Sequence, residues 1–218
     1  MGFLTPVLNL LFPPRCVFCR EFLQKDQRGV CPSCAETLPF CKGAEACVQG
    51  EEFSVCVSPL FYVGTVRESH HRYKFQGAGF YSKVYAPFVA RCVTDHCAGR
   101  YDLVSWVPLS RGRLRKRGYD QARLLAQDTA KALGTDATAT LKKVKNTPAQ
   151  SGIGGRDARQ ANISGAYRVL APARVKGRRI LLIDDIATTG ATLSECARAL
   201  QMAGAEEVLC ATLARAEQ

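Results

Sequence analysis

Hydrophobic and polar positions along the chain fall into two regimes that meet near residue 55. Before that point the apolar residues keep no sustained period. The stretch from Phe3 to Phe12 is too short to span a bilayer, lacks a basic leader and a small-residue cleavage site, and is stopped by Pro13-Pro14, so it reads as an amphipathic starting helix. After residue 55 the pattern alternates between short apolar runs and helical periods. Val57 to Val63 predicts a strand, Thr65 to Phe75 a basic helix stopped near Gly77, and Tyr81 to His96 a second helix with Pro87 as a kink. Leu103 to Val107 predicts a strand ending at Pro108, and Asp120 caps a helix that runs to Leu133 and stops at Gly134. Leu141 to Val144 reads as a short strand, and Lys145 to Ala161 has no period and reads as a long loop. Ile180 to Ile183 is an uninterrupted apolar run, the pattern of a parallel strand covered on both faces. Leu193, Ala197 and Leu200 share one helical face ended by Gly204, and Val208 to Leu213 closes the series as a strand. Strands alternating with helices predict an α/β domain with a mainly parallel sheet.

The most informative segment is Ile180 to Thr192, ILLIDDIATTGAT. Asp184 and Asp185 follow the apolar run at its C-terminal edge, where open α/β sheets bind ligands. Carboxylates only accept hydrogen bonds and therefore suit sugar hydroxyls. The turn that follows, Ala187, Thr188, Thr189, Gly190, Ala191 and Thr192, offers hydroxyls and successive backbone N–H groups at a helix start, a ready phosphate site. Gly190 lets the backbone approach a ligand closely. One short segment can thus hold a ribose and its 5′-phosphate together. Paired acids in a plain strand–turn–helix would have only capping or solvation to do.

A second basic segment sits on another strand end. Ser110 and Arg111 follow the Leu103 to Val107 run, and Arg113, Arg115, Lys116 and Arg117 place four positive charges within five residues, read as a loop after the strand. A diphosphate needs several charge-assisted donors at once, and Arg supplies a forked one. Thr147, Gln150, Arg156, Arg159 and Asn162 add polar donors from the long loop.

Composition narrows the setting. The 218 residues are 47% hydrophobic, enough for one α/β core with a small appended module. A formal net charge of +11 suits a polyanionic partner, whether a phosphorylated small molecule or nucleic acid. With no transmembrane run, a cytosolic location is expected, and the 11 cysteines then point toward metal rather than disulfides. Cys16-x2-Cys19 and Cys31-x2-Cys34 are two knuckles that together make a tetrahedral thiolate set of the kind preferred by structural zinc. Cys41, Cys47 and Cys56 could supply three ligands of a second site, completed by His70 or His71 at a long reach, or could be idle thiols. Cys92, Cys97, Cys196 and Cys210 fall in apolar patterns and read as core.

ILLIDDIATTGAT resembles the phosphoribosyl-pyrophosphate (PRPP) loop of the type I phosphoribosyltransferases. The chain as a whole resembles the ComF family of competence-associated proteins, through LFPPRC at Leu11 to Cys16 with its two Cys-x2-Cys pairs, VPLS at Val107 to Ser110, and RGYDQA at Arg117 to Ala122. Thr147-x2-Gln150, Arg159-x2-Asn162, Gly165-Ala-Tyr167 and IDDIATTGATL carry the resemblance onward, while Asp120 stands where the family commonly has Asn. The resemblance implies a type I phosphoribosyltransferase-like, mainly parallel sheet over residues 55–218, preceded by a helix and zinc ribbon over residues 1–54. It implies that Asp184 and Asp185 bind the ribose hydroxyls, that the Thr188 to Thr192 turn wraps the 5′-phosphate, and that PRPP arrives with Mg²⁺. It further implies a role in natural transformation, handling incoming single-stranded DNA beside competence or recombination proteins.

Two functions follow. One is a nucleic-acid-handling protein that keeps a PRPP pocket, with Tyr73, Phe75, Trp106 or Tyr119 as candidate base-stacking rings, although core packing suits Trp106 better. The other is an active phosphoribosyltransferase of nucleotide metabolism or salvage, with an unknown acceptor. A glutamine-dependent amidotransferase is not expected, because the first cysteine, Cys16, already belongs to the zinc pattern.

Overall fold

The computed structural model describes residues 13–145 and 165–217. The starting helix expected before Pro13, and Thr147, Gln150, Arg156, Arg159 and Asn162, lie outside the described residues. The elements are α1 (Pro32–Thr37), β1 (Cys47–Val48), β2 (Val55–Val57), β3 (Leu60–Phe61), α2 (Gly64–Phe75), α3 (Ser82–Cys97) and β4 (Leu103–Trp106). They continue with α4 (Arg111–Arg117), α5 (Gln121–Ala132), β5 (Leu141–Lys143), β6 (Tyr167–Val169), α6 (Pro172–Val175), β7 (Arg179–Ala187), α7 (Ala191–Met202) and β8 (Glu207–Arg215).

The main sheet runs β1-β2-β8-β7-β4, with β3 also paired to β8. All its pairings are parallel except β1 with β2. The alternation of strand side chains divides the core into two layers. Leu181, Ile183, Leu209, Ala211 and Leu213 point to the face covered by α2, α3 and α5, whereas Ile180, Leu182, Val208 and Cys210 point to the face covered by α7. The apolar run 180–183 therefore needed no polar positions, as its pattern required. Cys92, Cys97, Cys196 and Cys210 are buried.

Three expectations are corrected. Val57 to Val63 is two short strands, because Pro59 has no N–H to continue a ladder. The basic run after Leu109 is not a loop but the helix α4, started by Ser110, whose Oγ accepts from the Arg113 N–H at 3.4 Å. Strand β7 does not stop at Ile183: it runs on to Ala187 beside β8. Its other neighbour, β4, ends opposite Ile183, so Asp184 to Ala187 stand beyond that edge. The N-terminal knuckles also pack into the main core. Val17 and Phe18 are fully buried, and the Phe18 ring lies 5.8 Å from that of Tyr85 on α3.

Candidate functional site

The four knuckle cysteines come together as their spacing requires. Their Sγ atoms all lie within 4.8 Å of one another, and those of Cys19 and Cys31 are 3.6 Å apart. A tetrahedral zinc–thiolate site with bonds of about 2.3 Å has sulfur–sulfur edges of roughly 3.8 Å, so the set fits zinc. Cys31 also accepts from the Cys34 N–H at 3.4 Å, which ties the second knuckle to the start of α1. Burial works against the Cys16 thiolate, but backbone N–H groups of Cys19, Cys31 and Phe18 bring the thiol down to about 7. Among the described residues no second cluster of metal ligands forms. Cys47 is paired with Val57 and Val48 with Cys56, so Cys47 and Cys56 sit on opposite faces of the sheet. Cys56 joins the α7-side core, while Cys41 and Cys47 pack on the other side. His70 is no fourth ligand either, since Asp185 holds it.

At the C-terminal edge of the sheet a cavity of about 770 Å³ opens between α2, α4 and β7. Asp184, Asp185, Thr188 and Thr192 line one side; Arg113, Lys116 and Arg117 line another. Lys143 and Tyr167, paired across the small antiparallel β5–β6 sheet, add a third wall. Ser110 and Arg111 do not line it: Ser110 is spent on capping α4 and Arg111 is exposed. Arg115 is exposed and outside the lining, because a helix turns successive residues away from one another by about 100°. The shape of the Val107 to Ser110 loop is pinned by Asp120, whose carboxylate accepts from the N–H groups of Leu109 at 2.9 Å and Arg123 at 3.1 Å.

Sequence reasoning missed the fourth wall. Helix α2 supplies Arg67, His70, His71, Lys74 and Phe75 to the cavity. His70 Nε2 lies 3.0 Å from Asp185 Oδ2, and Lys74 Nζ lies 3.3 Å from the same oxygen. With Nε2 donating to the carboxylate, a neutral His70 leaves Nδ1 to accept from the Tyr62 hydroxyl at 3.1 Å. The spacing of His70 and Lys74 by one helical turn was the available signal.

Adjacent strand residues point to opposite faces, and this divides the two acids. Burial, then the neighbouring charge of Asp185, push the Asp184 carboxyl well above the usual carboxylate range. Burial opposes ionisation of Asp185 too, but the Lys74 ammonium and His70 hold its carboxyl well below that range. The signs are opposite. Asp185 stabilises the fold above about pH 4, and this is lost as pH falls below it; Asp184 costs stability above that pH. Asp184→Asn is therefore expected to raise the melting temperature at pH 7, with the gain shrinking toward pH 4. A melting series showing no gain at neutral pH would contradict this division.

The turn after β7 has the form of an anion seat. Gly190 adopts φ 74°, a conformation costly for other residues, and caps the 12-residue α7 without a side-chain acceptor. The first N–H groups of α7 face the turn, with Ser194 the first to bond back, to the Gly190 carbonyl at 2.8 Å. Beside them the Thr189 hydroxyl is buried with no protein partner. Gly190→Ala is expected to cost about 1 kcal/mol of stability through the positive φ alone, readable by denaturant titration.

The class of protein is set by this fold and the thiolate knuckles together. The Phosphoribosyl transferase domain family matches residues 120–218, and the Double zinc ribbon domain family matches residues 7–56. The chain is a type I phosphoribosyltransferase-like α/β fold preceded by a zinc-ribbon segment. Over 93% of its length it is 30% identical to Competence protein F of Haemophilus influenzae, covering 97% of that protein. The chain belongs to the ComF family. It is also 36% identical over 51% of its length to DNA utilization protein YhgH of Salmonella typhi, spanning half of that protein. Among solved structures, the allosteric regulatory enzyme of purine biosynthesis is 20% identical with a TM-score of 0.41, over 61% of this chain and 25% of that one. A likeness of that size says nothing of substrate. Among the described residues no helix is long and apolar enough to cross a membrane.

Proposed function

We propose that the chain binds PRPP, with Mg²⁺, in the cavity at the β7 edge, and that it serves the handling of incoming single-stranded DNA in the cytosol during natural transformation. In this reading residues 1–54 are the ribbon module and residues 55–218 the phosphoribosyltransferase-type unit. The observation that carries it is the union, in one cavity, of paired acids, a phosphate-type turn and three cations of α4. Asp184 and Asp185 bind the ribose hydroxyls, Ala187 to Thr192 cradle the 5′-phosphate, and Arg113, Lys116 and Arg117 take the diphosphate. The carboxylates also offer the hard oxygen donors that Mg²⁺ prefers, and the ion would neutralise diphosphate charge. The relatives named for competence and DNA utilization support the biological setting.

Nucleic acid has a matching surface. The α4 cations Arg111, Arg115 and Lys116 are exposed, and Lys116 also lines the cavity. Of the four candidate rings, Tyr73 is fully buried, Trp106 packs on the core with Arg123 5.8 Å above it, and Tyr119 donates its hydroxyl to the Tyr73 carbonyl. Phe75 alone among them is 58% exposed, beside His71 at 4.9 Å and Arg117 at 5.1 Å, and its exposure supports it as the base-stacking ring in this reading. Neutralising Arg115, Lys116 and Arg117 together is expected to weaken single-stranded DNA binding and to make the salt slope shallower by about 2 in log–log form, each phosphate contact contributing roughly 0.7. An unchanged slope in a gel-shift or anisotropy series removes the nucleic-acid contact from α4.

The cavity extends past the acids to Phe75 and His71, which leaves space for an acceptor, and this favours catalytic transfer as the second reading. Here the cations would stabilise the leaving diphosphate as charge develops on it. Diphosphate release with candidate bases tests turnover directly, and its absence with every base leaves PRPP as a bound ligand only.

A further inference from the structure

Helix α2 stands between the two chemical centres of the molecule and bonds to both. On one face Ser69 Oγ donates to the Val17 carbonyl at 2.5 Å, and Arg72 Nη2 donates to the carbonyls of Val17 at 2.9 Å and Phe18 at 2.6 Å. Val17 and Phe18 are the two residues between Cys16 and Cys19. The directions of their carbonyls are therefore set by the knuckle turn, which the Arg20 N–H closes onto the Cys16 carbonyl at 3.0 Å. On the adjoining face of α2, His70 and Lys74 hold Asp185.

We infer that α2 couples the zinc knuckle to the ribose-binding acid, with Arg72 as the positioning residue on its knuckle face and His70 on its acid face. Local bonds close the turns of this helix but do not place it: its N-cap, Val63, makes no side-chain bond to it, and Gly64 enters at φ 48°. Its place is set by what it touches. Ser69 Oγ also meets the Tyr85 hydroxyl at 2.6 Å, and the rings of Phe18, Tyr85 and Tyr73 form a packed series with centroids 5.8 and 5.3 Å apart. A knuckle closed by metal presents two fixed carbonyls to Arg72 and Ser69. An open knuckle does not, and α2 then loses its hold on that side. The Tyr73 hydroxyl donating to the Gln121 carbonyl at 2.7 Å and Gln121 Nε2 donating to the Lys74 carbonyl at 3.5 Å still anchor its C-terminal end, so the change falls on how His70 meets Asp185. Close-packed interiors pass such displacements on rather than absorbing them. The four thiolates thereby gain a role beyond stapling the N-terminal segment. Any competing ligand that strips the metal, reaching it at the exposed Cys19, would be felt at Asp185.

The link is testable without any ligand because the chain has only three histidines, His70, His71 and His96. In the full chain, labelled at histidine and fully loaded with zinc, Arg72→Ala is expected to move the His70 ring resonances and leave those of His96 at the end of α3 in place. Arg72→Lys, which keeps one donor, should recover part of the shift, and Ser69→Ala gives an independent variant if Arg72→Ala does not fold. Unmoved His70 resonances in the zinc-loaded variants overturn the inference. A second arm rests on the proposed PRPP site. Coupling is reciprocal, so saturating PRPP should tighten zinc binding in an equilibrium competition with a chelator, and Arg72→Ala should lower PRPP affinity by about tenfold at unchanged zinc content. Bound PRPP with an unaltered zinc affinity also counts against the link. If wild-type protein binds no PRPP, the reading of the cavity fails, and the histidine resonances still decide the coupling.

Discussion

Replacing Asp184 and Asp185 together by alanine is expected to lower the affinity for PRPP in the presence of Mg²⁺ by at least about 100-fold. Hydrogen bonds to charged groups are worth about 1.5–3 kcal/mol each, and two of them exceed the roughly 2.7 kcal/mol that a hundredfold change represents. In the double variant, removing the strained Asp184 carboxyl offsets part of the stability lost with the Asp185 contacts to Lys74 and His70, so affinities are compared at a temperature where the variant is folded. The single variants should behave differently. Asp185→Asn leaves Lys74 and His70 facing a neutral amide and is expected to melt earlier, whereas Asp184→Asn melts later. Calorimetry with PRPP, run beside thermal melts of all three variants, checks both halves. Wild-type affinity in the double variant would sink the proposed use of the cavity.

Removing the knuckle metal is expected to have the larger effect on stability. Cys34→Ser takes away one buried ligand of a set whose knuckle residues Val17 and Phe18 are fully buried against the helices of the main core. Structural zinc contributes folding free energy outright, and a segment this short has little core of its own to replace it. A loss of about 5 kcal/mol, at the upper end for a single substitution, corresponds to a melting temperature lower by roughly 10–20 °C in a chain of this size. Metal analysis should fall from one zinc per chain to none. A zinc-free Cys34→Ser chain that melts with the wild type would show that the thiolate cluster carries no structural load. Because the knuckles and the sheet share one core, the transition is expected to be single and not split into a ribbon step and a sheet step.

The sequence by itself determined what is encoded locally. The run 180–183 is apolar throughout because both faces of β7 are covered, so its pattern alone announced a buried parallel strand. Asp120 and Gly134 were legible as the start and stop of a helix because capping depends on residues within one turn. The four zinc-knuckle cysteines were legible because their spacing is part of the site. The paired acids and the turn after them were legible for the same reason: they are contiguous in the chain.

Only the tertiary structure decided which distant residues meet them. Lys74 and His70 stand more than 100 residues from Asp185, and no local pattern assigns a helix face to a particular acid. The basic run 111–117 looked like a loop because its residues are polar and it lacks an apolar stripe, yet the Ser110 cap winds it into a helix that sends Arg113 and Arg117 to the cavity and leaves Arg115 outside. Cys47 and Cys56 looked like partners in sequence, and strand pairing put them on opposite faces. Period and capping are short-range effects that survive in one dimension. Partner choice depends on long-range packing, which a single strand or helix does not contain.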